Sequence, residues 1–287
     1  MNVELAFAGV LFIGTLLGCA EKPPSLANAD YTDQIPDTSC RELNRENSYQ
    51  RSKAPGTLDF ILRAPQNFDP LVRHPLVVVF PPAGHNSQRS ELFSDFTTAA
   101  TSRGFIVLYL GHQRLNQNQI ERLGTLVSEV SNAWCVDKQR VFFTGHSDGG
   151  TVAHVLAQHD WRQHSESQQP KNESQNQHET VIRPAKIAPS AAGIRADDLN
   201  TMGCRYQTPI MIMHGAADKL FPGFGQSAKN WWLECNQCKD IVTQVNNECE
   251  IYSDCANNNE VIYCESAGGH RRWDQSREHI IDFFAAP

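Results

Sequence analysis

Residues 141–151 read Val-Phe-Phe-Thr-Gly-His-Ser-Asp-Gly-Gly-Thr. An apolar run, Val141 to Phe143, leads into Gly145. Ser147 stands between Gly145 and Gly149, and residues of helical spacing follow from Thr151. A serine with a glycine two residues to either side arises by chance in roughly one chain of this length in ten, given ~7% usage of each residue. The flanking pattern therefore carries the reading. A buried strand that turns sharply into a helix needs small residues on both sides of the turn, and that turn lifts the serine hydroxyl clear of the backbone. The N–H of Asp148 then points to where the hydroxyl would react, at the positive end of the helix. A plain glycine-rich turn holding a solvated serine predicts neither the strand nor the helix.

Outward from this turn, strand and helix signals alternate. Residues 57–62 show period two, and 67–70 make a turn. Residues 75–80 are a continuous apolar, β-branched run, as in a strand covered on both faces. Residues 104–109 and 141–144 read the same way. Helical spacing covers 90–102, with Leu92, Phe93, Phe96 and Ala100 on one side. It also covers 119–134, 151–161 and 276–284, and 230–233 falls within another helix. Residues 187–192, 209–213 and 260–263 are further strands. Repeated strand–helix units predict an α/β fold, a mainly parallel sheet with helices on both faces. In such sheets reacting groups sit at the carboxyl ends of the strands. Residues 162–183 are almost wholly polar and read as a solvated insertion in a surface loop.

The chain has 287 residues, a formal net charge of −7 and nine cysteines. An acidic balance without a basic cluster excludes nucleic acid as the expected partner. The apolar stretch 5–17 is short for a membrane span and reads as an export signal, residues 1–18. Leu16-Leu17-Gly18-Cys19 resembles the lipobox of bacterial lipoproteins, in which the cysteine is lipidated and becomes the new N-terminus. Glu4, and the lack of Lys or Arg before the apolar run, leave an ordinary cleaved signal peptide as the alternative. Membrane association is expected only through Cys19; otherwise the protein is secreted. Residues 19–54 read as a polar tether and lead-in, and 55–287 as the catalytic domain.

With Cys19 set aside, eight cysteines remain, an even number that in an exported chain reads as disulfides. Their pairing stays open, and Cys40 is expected to staple the lead-in to the domain. Cys235-x-x-Cys238 also has a zinc-like spacing, but no second pair of ligands follows it, so no metal is expected.

A serine hydroxyl is a weak nucleophile without a base. In this architecture the chain order is Ser, then acid, then His. His270, in Ser266-Ala267-Gly268-Gly269-His270 after the last strand, is the candidate base. Asp218, just past the strand at 209–213 in His214-Gly215-Ala216-Ala217-Asp218, is the candidate acid. Asp197 and Asp198 are alternatives, and His214 reads as a structural hydrogen-bonding residue. An oxyanion hole needs two N–H groups aimed at one oxygen. Asp148 supplies one; after residue 80, Pro81 and Pro82 have no N–H, so Ala83 is the first that can supply the other.

These residues resemble the exported α/β-hydrolase esterases that include polyhydroxybutyrate depolymerase-like and feruloyl esterase-like proteins. The resemblance covers roughly residues 55–287. It rests on Pro75-Leu-Val-Val-Val79, Arg103-Gly-Phe-Ile-Val107, Gly145-His-Ser-Asp-Gly-Gly150, Ala188-Pro-Ser-Ala-Ala-Gly193, His214-Gly-Ala-Ala-Asp218 and Gly268-Gly-His270, in that order. It implies the α/β-hydrolase fold, Ser147, Asp218 and His270 as a triad, no cofactor, and a bridge from Cys238 to a cysteine before the last strand, for which Cys255 is the candidate. It also implies a small ester or ester-substituted saccharide as substrate: a hydroxycinnamoyl, acetyl or short hydroxyalkanoate ester. Three departures stand out: Pro81-Pro82 replaces the usual His-Gly, Arg271-Arg272 precede Trp273, and the polar insertion follows Trp161. The proline pair is the sequence support for a second expectation, a binding lipoprotein that kept the scaffold with weak turnover.

Overall fold

Strands β-branched on both sides can only be covered by helices on both sides, and the molecule is built that way. A computed structural model describes residues 24–31, 37, 40, 48–51, 58–159, 183–273 and 277–287. Among them lie ten strands: β1 (Ser48–Arg51), β2 (Phe60–Arg63), β3 (His74–Phe80), β4 (Ile106–Leu110), β5 (Val136–His146), β6 (Lys186–Ser190), β7 (Ile210–Gly215), β8 (Val242–Gln244), β9 (Cys249–Tyr252) and β10 (Val261–Ser266). They form one sheet in the order β1-β2-β4-β3-β5-β6-β7-β10-β9-β8. The run from β4 to β10 is parallel throughout. Antiparallel pairs flank it, β1 with β2 and β2 with β4 at one edge, β9 with β10 and β8 with β9 at the other.

The helices are α1 (Ser87–Ser94), α2 (Thr97–Thr101), α3 (Gln117–Ala133), α4 (Asp148–Gln158), α5 (Ala196–Met202), α6 (Phe224–Cys235) and α7 (Arg277–Ala285). Strand side chains alternate between two cores. Leu76, Val78, Ile106 and Leu108 meet Leu123, Val127, Leu156 and Trp232 of α3, α4 and α6. Val77, Val79, Val107 and Tyr109 meet Phe96, Ala100, Ile281 and Phe284 around α2 and α7.

One expectation is corrected. The single helix over 90–102 is two helices, α1 and α2. Asp95, at φ 55°, caps α1 in the left-handed region and turns the chain. The first segment buries Ser90, Glu91 and Ser94, while Phe93 packs against the core with Phe96 and Ala100 as expected and Leu92 is only half-buried. Glu91 is buried because Arg63 grips both its oxygens, at 2.8 and 2.9 Å, and the Thr97 hydroxyl donates to it. At the far edge the structure adds β8 and β9, in a segment to which the sequence reading gave no element. β8 and β9 are too short and too polar to show period two, and Cys249 bonded to Cys264 holds β9 in register with β10.

The described part of the lead-in packs on the domain. The Ala27 and Ala29 N–H groups donate to Thr101 Oγ1 and Asn67 Oδ1, so residues 27–31 lie against the amino ends of β3 and β4. Cys40 is bonded to Cys135. The other bridges are Cys204–Cys235, Cys238–Cys255 and Cys249–Cys264. Cys235 and Cys238 therefore serve different bridges, which leaves their zinc-like spacing no free thiolates. The signal segment, Cys19 and most of the polar insertion lie outside the described residues. No helix among the described residues is long and apolar enough to cross a membrane.

Candidate active site

The strand–turn–helix read from 141–151 is present: β5 ends at His146 and α4 starts at Asp148. Ser147 between them has φ 57° and ψ −120°. A non-glycine residue in that region costs on the order of 1–3 kcal/mol and persists only where its surroundings dictate it. Here they do. A Cβ on Gly149 would overlap the Phe80 carbonyl, and one on Gly145 would lie 2.6 Å from the same oxygen. The carboxyl end of β3 is thus pressed against the first turn of α4, which the two glycines alone permit. The Ser147 N–H donates to the Ser190 carbonyl at 2.9 Å, tying the turn to β6.

Two loops bring the other groups. Asp218 follows β7 and His270 follows β10, which are neighbours in the sheet. The loops interlock: Ala216 N–H donates to Ser266 O and Ala217 N–H to Gly268 O, and Gly215 has no Cβ because Gly268 O occupies its place. His270 Nδ1 is 2.8 Å from Asp218 Oδ2, and His270 Nε2 is 2.9 Å from Ser147 Oγ. An ionised carboxylate only accepts, so Nδ1 carries the proton and the Nε2 lone pair faces the serine hydroxyl.

The Asp218 side chain is wholly covered. Burial alone would raise its pKa; the Phe221 N–H, the His270 imidazole and the Leu220 N–H outweigh it and hold the carboxyl below its ordinary value. The two N–H groups reach Oδ1 at 2.9 and 2.8 Å, leaving Oδ2 for His270. His214 is buried beside it, its Nε2 3.0 Å from the Phe221 carbonyl and 3.6 Å from Asp218 Oδ2. Burial lowers its pKa, and its contact with the Phe221 carbonyl ties down the loop that carries Asp218. Asp198 bonds the Arg195 N–H at the start of α5 instead of a histidine, which sets it apart from the acid position.

Asp148 is the first residue of α4, where backbone N–H groups have no acceptor within the helix. Ala83 lies exposed in the turn after β3, closed by His85 N–H donating to Pro82 O at 3.2 Å. Three residues at this site escaped the sequence reading. His112, beyond β4, has Nε2 3.1 Å from Asp148 Oδ2. His146 and Ser190 contact each other, at 3.0 Å, behind the turn. Histidine at 146, inside the glycine turn, was the one available signal. Apolar groups stand beside the base: Phe221 meets the His270 ring edge-on at 5.0 Å and stacks on Phe224, and Leu220 is 61% exposed.

No family model matches the chain, and no curated protein matches it. Many solved structures share its shape. A truncated carbohydrate esterase from gut microbiota superposes with a TM-score of 0.58 at 12% identity, over 87% of this chain and 98% of that one. An acetyl xylan esterase from Aspergillus awamori does so with a TM-score of 0.53 at 14% identity, over 83% and 99%. A carboxylesterase from Bacillus cereus gives 0.52 at 10% identity, over 80% and 94%. The chain has the α/β-hydrolase fold.

Proposed function

We propose that this protein is a serine hydrolase of carboxylic esters, working through an acyl-enzyme. The observation that carries the reading is the unbroken chain Asp218–His270–Ser147, with both links at 2.8–2.9 Å. His270 Nε2 takes the Ser147 proton as Oγ attacks the ester carbonyl. The N–H groups of Asp148 and Ala83 receive the oxyanion. The imidazolium returns its proton to the departing alkoxide, and Asp218 stabilises that charge. Water, deprotonated by His270, then attacks the acyl-serine and releases the acid. No step asks for a metal or an organic cofactor. Esterase names among the shape-matched structures support the reaction class. The resemblance to polyhydroxybutyrate depolymerase-like and feruloyl esterase-like proteins supports acetyl, hydroxycinnamoyl or short hydroxyalkanoate esters, free or on a saccharide.

Residues 55–287 form the catalytic domain on this reading, exported behind residues 1–18 and held to the cell envelope through lipid on Cys19. Four disulfides support an oxidising compartment. The decisive experiment is labelling of the folded protein with a fluorophosphonate and mapping of the labelled peptide. Label at Ser147, lost in Ser147→Ala together with turnover of p-nitrophenyl acetate, is the expected result. A folded wild type that takes no label at Ser147 would overturn the reading in favour of a binding protein.

A further inference from the structure

His146 fills the position between Gly145 and the proposed nucleophile, yet its side chain points away from solvent and is 2% exposed. Its Nε2 lies 2.7 Å from the backbone carbonyl of His270, and its Nδ1 lies 3.0 Å from Ser190 Oγ. A carbonyl oxygen only accepts, so Nε2 carries a proton and donates to His270 O. In the neutral ring Nδ1 then accepts from the Ser190 hydroxyl. The Ser190 carbonyl meanwhile accepts the Ser147 N–H at 2.9 Å.

These contacts close a frame. The loop carrying the base is bound to the strand carrying the nucleophile through His146, by a path that uses neither the Ser147–His270 bond nor Asp218. Bonds from Ala216 and Ala217 hold that loop at Ser266 and Gly268, and flexible Gly269 separates those anchors from His270. The imidazole of His146 is packed by Phe93 at 5.2 Å, Trp273 at 5.7 Å and the His270 ring at 5.4 Å. Hydrogen bonds in such a dry setting are stronger than in water.

We propose that His146 is a positioning residue, which sets the backbone of His270 relative to Ser147, with the Ser190 hydroxyl donating to its Nδ1. This rests on the hydrolase reading above and names a residue that reading does not use. A displaced base lowers the rate more than it weakens binding, and a shift of about 1 Å can cost on the order of 100-fold.

The test uses the full chain with three substitutions. His146→Leu removes the donor and keeps bulk, His146→Gln puts an amide N–H near the place of Nε2, and Ser190→Ala removes the hydroxyl and keeps the carbonyl. With p-nitrophenyl acetate, His146→Leu is expected to lower kcat by roughly 10- to 100-fold at nearly unchanged KM. His146→Gln should recover most of that loss, and Ser190→Ala should fall between. Equal losses in His146→Leu and His146→Gln would reduce the residue to packing and overturn the proposal, as would full kcat in His146→Leu. The downfield proton NMR resonance of the His270–Asp218 hydrogen bond provides a readout without substrate. It should persist in His146→Gln and weaken or vanish in His146→Leu. If the wild type hydrolyses nothing, the hydrolase reading fails, and this resonance alone decides: loss only in His146→Leu supports positioning, and no change in either variant overturns it.

Discussion

At the scale of single residues, the site depends on atoms that are missing as much as on those present. Gly149 has no Cβ because the Phe80 backbone carbonyl stands there, and backbone yields far less readily than a flexible side chain. Gly149→Ala should therefore destabilise the fold by about 3 kcal/mol or more, read from urea unfolding; a change within a few tenths would refute the close approach. Asp218→Asn keeps the shape but lets the wrong imidazole tautomer in, so kcat should fall by about 10⁴ with the nucleophile in place. The same residue links stability to pH. Its folded pKa lies below the unfolded value of about 4, so its contribution is full above that value and is lost as the pH falls through the folded pKa. The Tm advantage of wild type over Asp218→Asn should shrink as the pH is lowered past about 4. A gap that stays constant into acid would show that Asp218 is not held ionised by its partners.

At the scale of elements, the buried parallel strands were readable because covering both faces demands an unbroken apolar run, and β3 and β4 consist of little else. The α3 helix was readable from its apolar stripe, and Asn116, whose side chain accepts the Gln119 N–H, starts it close to the expected place. The α1–α2 break was not readable. Leu92, Phe93 and Phe96 continue a helical period in sequence, whereas the left-handed turn at Asp95 goes with a buried contact from Arg63 to Glu91 across 28 positions. The bridges also belong to this scale. Cys40–Cys135 spans 95 positions and Cys249–Cys264 only 15. On loop entropy alone the long bridge should contribute about 4–5 kcal/mol and the short one about 3. Denaturant unfolding of the Cys40→Ser/Cys135→Ser and Cys249→Ser/Cys264→Ser pairs measures both; a larger loss from the short bridge would point to strain or packing over loop closure.

At the scale of the whole molecule, the parallel sheet sets Ser147, Asp218 and His270 at the carboxyl ends of β5, β7 and β10, although up to 123 positions separate them. Residues 27–31 bind at the opposite, amino ends of β3 and β4. The cysteine chemistry is global too. Eight of nine cysteines are paired, so titration of the unreduced, denatured protein should find no more than one thiol per chain. Several thiols would undo the bridge set.

The amino-acid order alone determined the fold class, the glycine turn around Ser147 and the candidates Asp218 and His270. Each of these is written locally, in apolar periodicity, in residues small enough for a tight turn, or in a histidine or carboxylate just past a strand. Only the tertiary structure decided the pairing of the cysteines other than Cys238 and Cys255, the break between α1 and α2, the short strands β8 and β9, and the frame of His146 and Ser190 behind the site. Those depend on which distant segments meet. His146 lies 44 positions from Ser190 and 124 from His270 in the chain, and no local pattern encodes a hydrogen bond across such a separation.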